Sequence, residues 1–211
     1  MDAKFWLDRW QRNQTGFHEP HANPLLLAHF ASLSLPAGSR IFVPLCGKTL
    51  DLHWLLARGH QIAGVELSEV AVQQLFAALG MRPSATTIGP ITRYSAPGID
   101  VFRGDVFALT RTDLGRVDAV YDRAALIALP ESMRAGYSSH MERLTQRARQ
   151  LIICLNYDQR MLAGPPFSVD GTELARLYQP VYKLQLLGSA DVVGGLKGSC
   201  PASEDVWLLT P

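Results

Sequence analysis

Three cysteines, Cys46, Cys154 and Cys200, are all that this 211-residue chain contains. They are odd in number, far apart and form no C-x-x-C pair, which leaves no disulfide framework and no structural zinc site to hold a fold together. No apolar run approaches the roughly 20 residues that span a bilayer. The opening MDAKFWLDRW is acidic early and amphipathic and lacks the apolar stretch of a signal peptide, so a cytoplasmic location is expected. Charge of one sign is scarce too. The net charge is +1, and the densest basic stretch, Arg143, Arg147 and Arg149, reads as a solvated helix end rather than a nucleic-acid footprint. Neither a nucleic acid nor a membrane is expected as a partner. His18 and His21 have no companion at metal-ligand spacing, so no metal is assigned.

With 47% hydrophobic and 18% charged residues, the chain has the means to bury its own core. Asp2 to Asn13 has helical spacing, with Phe5, Trp6 and Trp10 close together. Asn23 is placed to cap a second helix that begins at Pro24. From Arg40 the texture changes to short apolar runs alternating with helical patterns. Strands are expected at Ile41–Val43, Gln61–Leu67, Ile99–Phe102, Ala119–Tyr121 and Leu151–Leu155. Helices fall at Leu52–Leu56, after the cap Ser68, and at Glu131–Thr145. Continuous apolar strands between helices describe a parallel sheet covered on both faces. Met81 to Gly98 reads as irregular with a short strand at most. Val181–Leu187 and Val206–Leu209 read as an antiparallel pair at the sheet edge, after a helix near Thr172–Leu177. The expectation is a single domain over 1–211, with a helical extension at 1–35 and an α/β core at 36–211.

In such a sheet a ligand binds beyond the carboxyl ends of the strands. Leu45-Cys46-Gly47, Glu66 and Asp105 stand at three such ends. Cys46-Gly47-Lys48-Thr49 looks like the end of a phosphate-binding loop, but Phe42 occupies the position where that loop needs a glycine. A dinucleotide fingerprint fails as well, since one glycine stands where three are required. Glu66 lies about 20 residues past the first turn, where an acid can accept hydrogen bonds from ribose hydroxyls; capping of the next helix is the competing reading. One glycine and a ribose-binding acid suit a nucleoside without phosphates, such as S-adenosylmethionine.

Pro44-Leu45-Cys46-Gly47-Lys48, Gly64-Val65-Glu66-Leu67-Ser68, Tyr121-Asp122-Arg123-Ala124-Ala125-Leu126 and Gly164-Pro165-Pro166-Phe167 resemble motifs of the thiopurine S-methyltransferase family. So does Trp6-Leu7-Asp8-Arg9-Trp10 followed by Gly16-Phe17-His18. The motifs keep order and spacing across almost the whole chain, and the short opening before Trp6 looks bacterial. The resemblance implies a class I methyltransferase (Rossmann-like) α/β fold. That fold has a mostly parallel seven-stranded sheet with an antiparallel last strand, helices on both faces and an N-terminal helical lid.

The resemblance also implies roles. Trp10 would close over S-adenosylmethionine, Leu45 and Gly47 would contact it at the first turn, and Glu66 would hold its ribose. Asp105 and Val106 would flank the adenine. Arg123 would reach the methionine carboxylate or the acceptor, acting by position and charge without an assigned general base. Phe17, His18, Pro166 and Phe167 would line the acceptor pocket. Bland alternatives stand beside these: Trp10 as a core aromatic, Arg123 as an ion-pair partner of Asp122 or Asp105, and Phe167 as a hydrophobic anchor. The segment Gly194-Gly195-Leu196-Lys197-Gly198 departs from the family pattern, and Lys197 is its only basic candidate for the acceptor site. His18 and Asp122 are candidates for taking up a proton. The implied reaction is S-methylation of thiopurines and other aromatic or heterocyclic thiols by a monomer with a detoxifying role, releasing S-adenosylhomocysteine. Selenium or tellurium species, halide or sulfide are alternative acceptors, and a non-catalytic adenosyl-ligand sensor is the alternative of another class.

Overall fold

The computed structural model describes residues 3–15 and 18–211, which divide into two units. Among the described residues, the N-terminal unit comprises 3–15, 18–28 and 35–118. It contains α1 (Ala3–Gln11), α2 (Pro24–His29, its last residue belonging to the other unit), β1 (Arg40–Pro44), α3 (Asp51–Ala57), β2 (Gln61–Glu66) and α4 (Glu69–Ala78). After these come β3 (Ser84–Ile88), β4 (Ile91–Ala96), β5 (Ile99–Arg103) and the short α5 (Arg111–Leu114).

The strands of this unit run in the order β3-β4-β5-β2-β1. β1 pairs parallel with β2 in the register Phe42↔Ala63, and β2 pairs parallel with β5 in the register Gly64↔Val101. Consecutive residues are buried along them (Ile41, Phe42 and Val43; Ile62, Ala63 and Val65), as a strand covered on both faces requires. Asn23 Oδ1 accepts from the amides of Leu25 and Leu26, which caps α2, and the Asn23 amide donates to Asp51 Oδ1 at 2.7 Å. Ser68 Oγ accepts from Ala71 N and so caps α4, whose Val72, Leu75 and Phe76 are buried.

Met81 to Gly98 does not stay irregular. It forms the hairpin β3–β4, turning at Gly89-Pro90, and β4 pairs antiparallel with β5. Thr86, Thr87, Ile88 and Ile91 favour extended backbone, but β3 is exposed along most of its length. Its polar composition therefore reads as loop.

The C-terminal unit comprises His29–Ser34 and Ala119–Pro211. It contains β6 (Ala119–Arg123), α6 (Glu131–Thr145), β7 (Arg149–Tyr157), α7 (Gly171–Tyr178), β8 (Lys183–Asp191) and β9 (Ala202–Thr210). The strand order is β6-β7-β9-β8. β6 and β7 are parallel, while β9 runs antiparallel to both β7 and β8, as expected for the chain's end. Tyr137, Met141 and Leu144 give α6 its buried face. Arg149 at the start of β7 donates to the Leu33 carbonyl at 2.6 Å, so it is not a free solvated cation. The described residues thus hold nine strands where seven were expected, the two additions being β3 and β4. No helix among the described residues is long and apolar enough to cross a membrane.

Candidate active site

The turn after β1 is bent by two left-handed residues, Leu45 (φ 48°) and Gly47 (φ 52°). Glycine adopts that conformation freely, whereas in leucine it costs on the order of 1–3 kcal/mol and persists only where neighbours hold it. Here the neighbours are on β2. Cys46 N donates to the Val65 carbonyl at 3.0 Å, and Gly47 N donates to Glu66 Oε2 at 2.8 Å. Cys46 is buried beneath the turn, and a Cβ at Gly64 would lie 2.8 Å from its Sγ. Glycine at 64 is what lets the thiol tuck against β2.

Glu66 closes this arrangement. Its Oε1 accepts from Ser68 N at 2.7 Å while Oε2 holds Gly47, and the residue is only 7% exposed. Burial pushes its carboxyl above the ordinary range, and the amides of Ser68, Gly47 and Leu67 pull it back. An ionised carboxylate offers about four acceptor sites. The amides of Gly47 and Ser68, at 2.8 and 2.7 Å, do not use all of them, so the carboxylate can still accept from ligand hydroxyls and fits a ribose. The capping reading is answered in part: the Ser68 hydroxyl caps α4, and Glu66 organises the two turns on either side of it.

Trp10 docks α1 onto the same turn. It is 4% exposed, and a Cβ at Gly47 would come within 3.2 Å of its Cζ2. Lys48 Nζ lies 5.8 Å from the centre of the indole and donates to Gln74 Oε1 at 2.8 Å. On the other side of β2, Gly104 N donates to the Glu66 carbonyl at 2.9 Å, which sets Asp105 just beyond the same strand end. Asp105 is exposed; its Oδ1 accepts from Phe107 N and caps a single 3-10 turn whose first residue, Val106, is buried. Trp10, Leu45, Gly47, Glu66, Asp105 and Val106 thus share one end of the N-terminal unit. His18, in the same unit, is half-buried, with its amide donating to the Thr15 carbonyl at 2.8 Å. Phe17 lies outside the described residues.

In the C-terminal unit, half-buried Arg123 ends β6 and is followed by left-handed Ala124 (φ 68°). The preceding residue holds that bend. Asp122 is 1% exposed; its Oδ1 accepts from Leu126 N at 3.1 Å and its Oδ2 accepts from the Tyr137 hydroxyl at 2.6 Å. Burial raises its carboxyl, and the Tyr137 hydroxyl is the strongest opposing influence. This carboxylate is engaged in shaping the turn.

The loop Gly164-Pro165-Pro166-Phe167 has cis peptide bonds before both prolines. Three of its backbone polar groups have partners inside the unit. Lys197 Nζ donates to the Pro165 carbonyl at 3.2 Å, the Tyr157 hydroxyl donates to the Pro166 carbonyl at 2.6 Å, and Phe167 N donates to the Ile127 carbonyl at 2.7 Å. Gly164 (φ 78°) leaves space for the Phe167 ring, since a Cβ there would sit 2.5 Å from Phe167 Cδ1. Lys197 is itself left-handed (φ 54°) and exposed, and the glycine-rich segment brings it to this loop. Pro166, Phe167 and Lys197 are therefore together.

Sequence reasoning missed Tyr137, Tyr157 and Arg134. The available signal was polar side chains on an otherwise apolar helix face: Arg134, Tyr137 and Met141 follow i, i+3, i+7 and all are buried.

Residues 1–208 match the family described as Thiopurine S-methyltransferase (TPMT). A thiopurine S-methyltransferase from Xanthobacter autotrophicus is 55% identical over 99% of both chains, and one from Gluconobacter oxydans is 51% identical over all of this chain and 98% of its own. Among solved structures, the Burkholderia thailandensis 1,6-didemethyltoxoflavin-N1-methyltransferase shares the fold with a TM-score of 0.68. It is 16% identical and aligns over 99% of this chain and 87% of its own. The chain belongs to the thiopurine S-methyltransferase family of S-adenosylmethionine-dependent enzymes, with the class I methyltransferase fold.

Proposed function

We propose that this enzyme S-methylates thiopurines and other aromatic or heterocyclic thiols, in a detoxifying role, as a cytoplasmic monomer. The observation that carries this reading is the proline–phenylalanine loop. With the carbonyls of Pro165 and Pro166 and the amide of Phe167 already hydrogen-bonded, the loop has two proline rings and a phenyl ring to offer. An apolar wall of that kind suits a flat aromatic acceptor. The names of the relatives at 51–55% identity point the same way.

Bound S-adenosylmethionine supplies an activated methyl group on a sulfonium sulfur. The protein's work is then alignment and exclusion of water. Glu66 would hold the ribose hydroxyls, Leu45 and Gly47 would form the floor of the turn, and Trp10 would close over it. Asp105 would accept from the adenine amino group, with Val106 against the ring. The acceptor would react as a thiolate, its proton passing to water, and the cofactor would supply the methyl group. The Arg123 guanidinium favours that ionised sulfur or pairs with the methionine carboxylate. Pro166, Phe167 and Lys197 would bound the acceptor.

The test is release of S-adenosylhomocysteine with a thiopurine, an aromatic thiol, iodide, hydrosulfide and selenide. Turnover on the thiopurine and the aromatic thiol is the expected result. Turnover on the small soft anions alone would replace this acceptor class, and tight cofactor binding without any turnover would favour a sensor.

A further inference from the structure

Helix α6 places a second brace one turn before Tyr137. Arg134 is 3% exposed, an unusual place for an arginine. Its Nε donates to the Leu129 carbonyl at 3.0 Å, just beyond the Asp122-anchored bend that carries Arg123. Its Nη1 donates to the Ser168 carbonyl at 3.2 Å, one residue past Phe167, and pairs with Glu173 Oε2 on α7 at 2.5 Å. The guanidinium carbon lies 5.6 Å from the centre of the Phe167 ring. One planar group therefore touches the backbone after the Arg123 turn, the backbone after the Phe167 loop, and the ring itself. A rigid fork of donors can hold those directions together; a lysine ammonium cannot.

We infer that Arg134 is a positioning residue for the methyl acceptor: it sets the separation between the Arg123 turn and the Phe167 wall, and thereby discriminates aromatic thiols from small nucleophiles. This rests on the reading of the Phe167 loop as the acceptor wall. Were Arg134 only a buried ion pair joining α6 to α7, its loss would lower stability and affect all acceptors alike.

The experiment compares wild type with Arg134→Lys, Glu173→Gln and the double variant Arg134→Gln/Glu173→Gln. The double variant removes both charges of the pair together. Each is assayed with a thiopurine, an aromatic thiol and hydrosulfide, alongside S-adenosylmethionine affinity by calorimetry and thermal melting. Arg134→Lys and the double variant are expected to raise the KM for both aromatic acceptors about tenfold or more, since small misplacements of reactants are costly. Cofactor affinity and kcat/KM for hydrosulfide should move by no more than about twofold to threefold. Glu173→Gln keeps the guanidinium and its two carbonyl bonds, so it should lower the melting temperature and preserve the selectivity ratio. Equal losses on all three acceptors, or cofactor affinity falling in step, overturn the inference. Should Arg134→Lys fail to fold, the selectivity ratio of the double variant decides. If wild type methylates hydrosulfide and neither aromatic acceptor, the acceptor reading falls and takes this inference with it.

Discussion

The Tyr137 hydroxyl donates to Asp122 Oδ2 at 2.6 Å, joining the middle of α6 to the strand end that carries Arg123. The Asp122 carboxylate is buried, and its other oxygen holds the Leu126 amide. The bend at Ala124, unusual for a residue with a side chain, is thus maintained by a carboxylate that itself depends on a tyrosine fifteen residues away.

Tyr137→Phe removes that donor and is expected to cost about 1–3 kcal/mol, the penalty for a buried charged acceptor losing a partner. Asp122 titrates above its ordinary 3.8, so the folded state holds that proton more tightly than the unfolded chain. Its contribution to stability is present in acid and is lost as pH rises through the folded value. Losing Tyr137 raises that value further, so the deficit of Tyr137→Phe should be small in acid and grow towards neutrality. Denaturant unfolding of both proteins at several pH values checks this; a deficit that shrinks with pH contradicts it.

Glu66→Ala should weaken S-adenosylmethionine binding about tenfold to a hundredfold, since hydrogen bonds to a charged acceptor are each worth about 1.5–3 kcal/mol. The acceptor KM should change little, and equal losses on both would mark Glu66 as purely structural. Because burial raises the Glu66 carboxyl above 4.5, cofactor affinity should fall with decreasing pH sooner than for an exposed glutamate. In the cofactor-free protein the sign is that of Asp122: stability is present below the unfolded value and lost as pH rises through the folded one. Calorimetric titration across the acid range tests the binding half, and Glu66→Gln should flatten the profile.

Gly47→Ala combines two faults. Alanine is strained at φ 52°, and its Cβ would press on Trp10 Cζ2 at 3.2 Å. A loss of about 1–2 kcal/mol is expected from the backbone conformation alone. Amides of α1 should then exchange faster with solvent, because Trp10 is what docks that helix on the turn. In wild type, added cofactor should slow the same amides if α1 serves as a lid. Exchange rates indifferent to both changes would remove α1 from the site.

Arg123→Ala should lower kcat by about a hundredfold, the scale of losing one electrostatic stabiliser. Its melting temperature should fall less than that of Tyr137→Phe, because Asp122 and Tyr137 hold the bend without it. Kinetics beside thermal melting separates the two effects. A large melting shift with unchanged kcat would make Arg123 a structural residue.

Much of this protein can be read directly from local sequence. Asn23 and Ser68 cap their helices because the side-chain oxygen and the amides it accepts lie two or three residues apart. The α6 span Glu131–Thr145 follows from its spacing, and β1, β2, β5, β6 and β7 announce themselves as apolar runs. The acid at the end of β2 is legible because its distance from the first turn follows from one strand–helix–strand repeat. The β3–β4 hairpin escapes that logic, since an exposed strand of serine and threonine carries no apolar pattern.

The sequence by itself determined the alternation of the parallel strands with helices and the family, for these depend on interactions within a few residues or on motifs in fixed register. Only the tertiary structure decided what holds the strand ends. Gly64 makes room for Cys46, Tyr157 takes the Pro166 carbonyl, and Arg134 spans residues 129 to 173. Partners on different elements meet only through the packing of those elements, and nothing in the local pattern of a buried tyrosine or arginine names the group it will find.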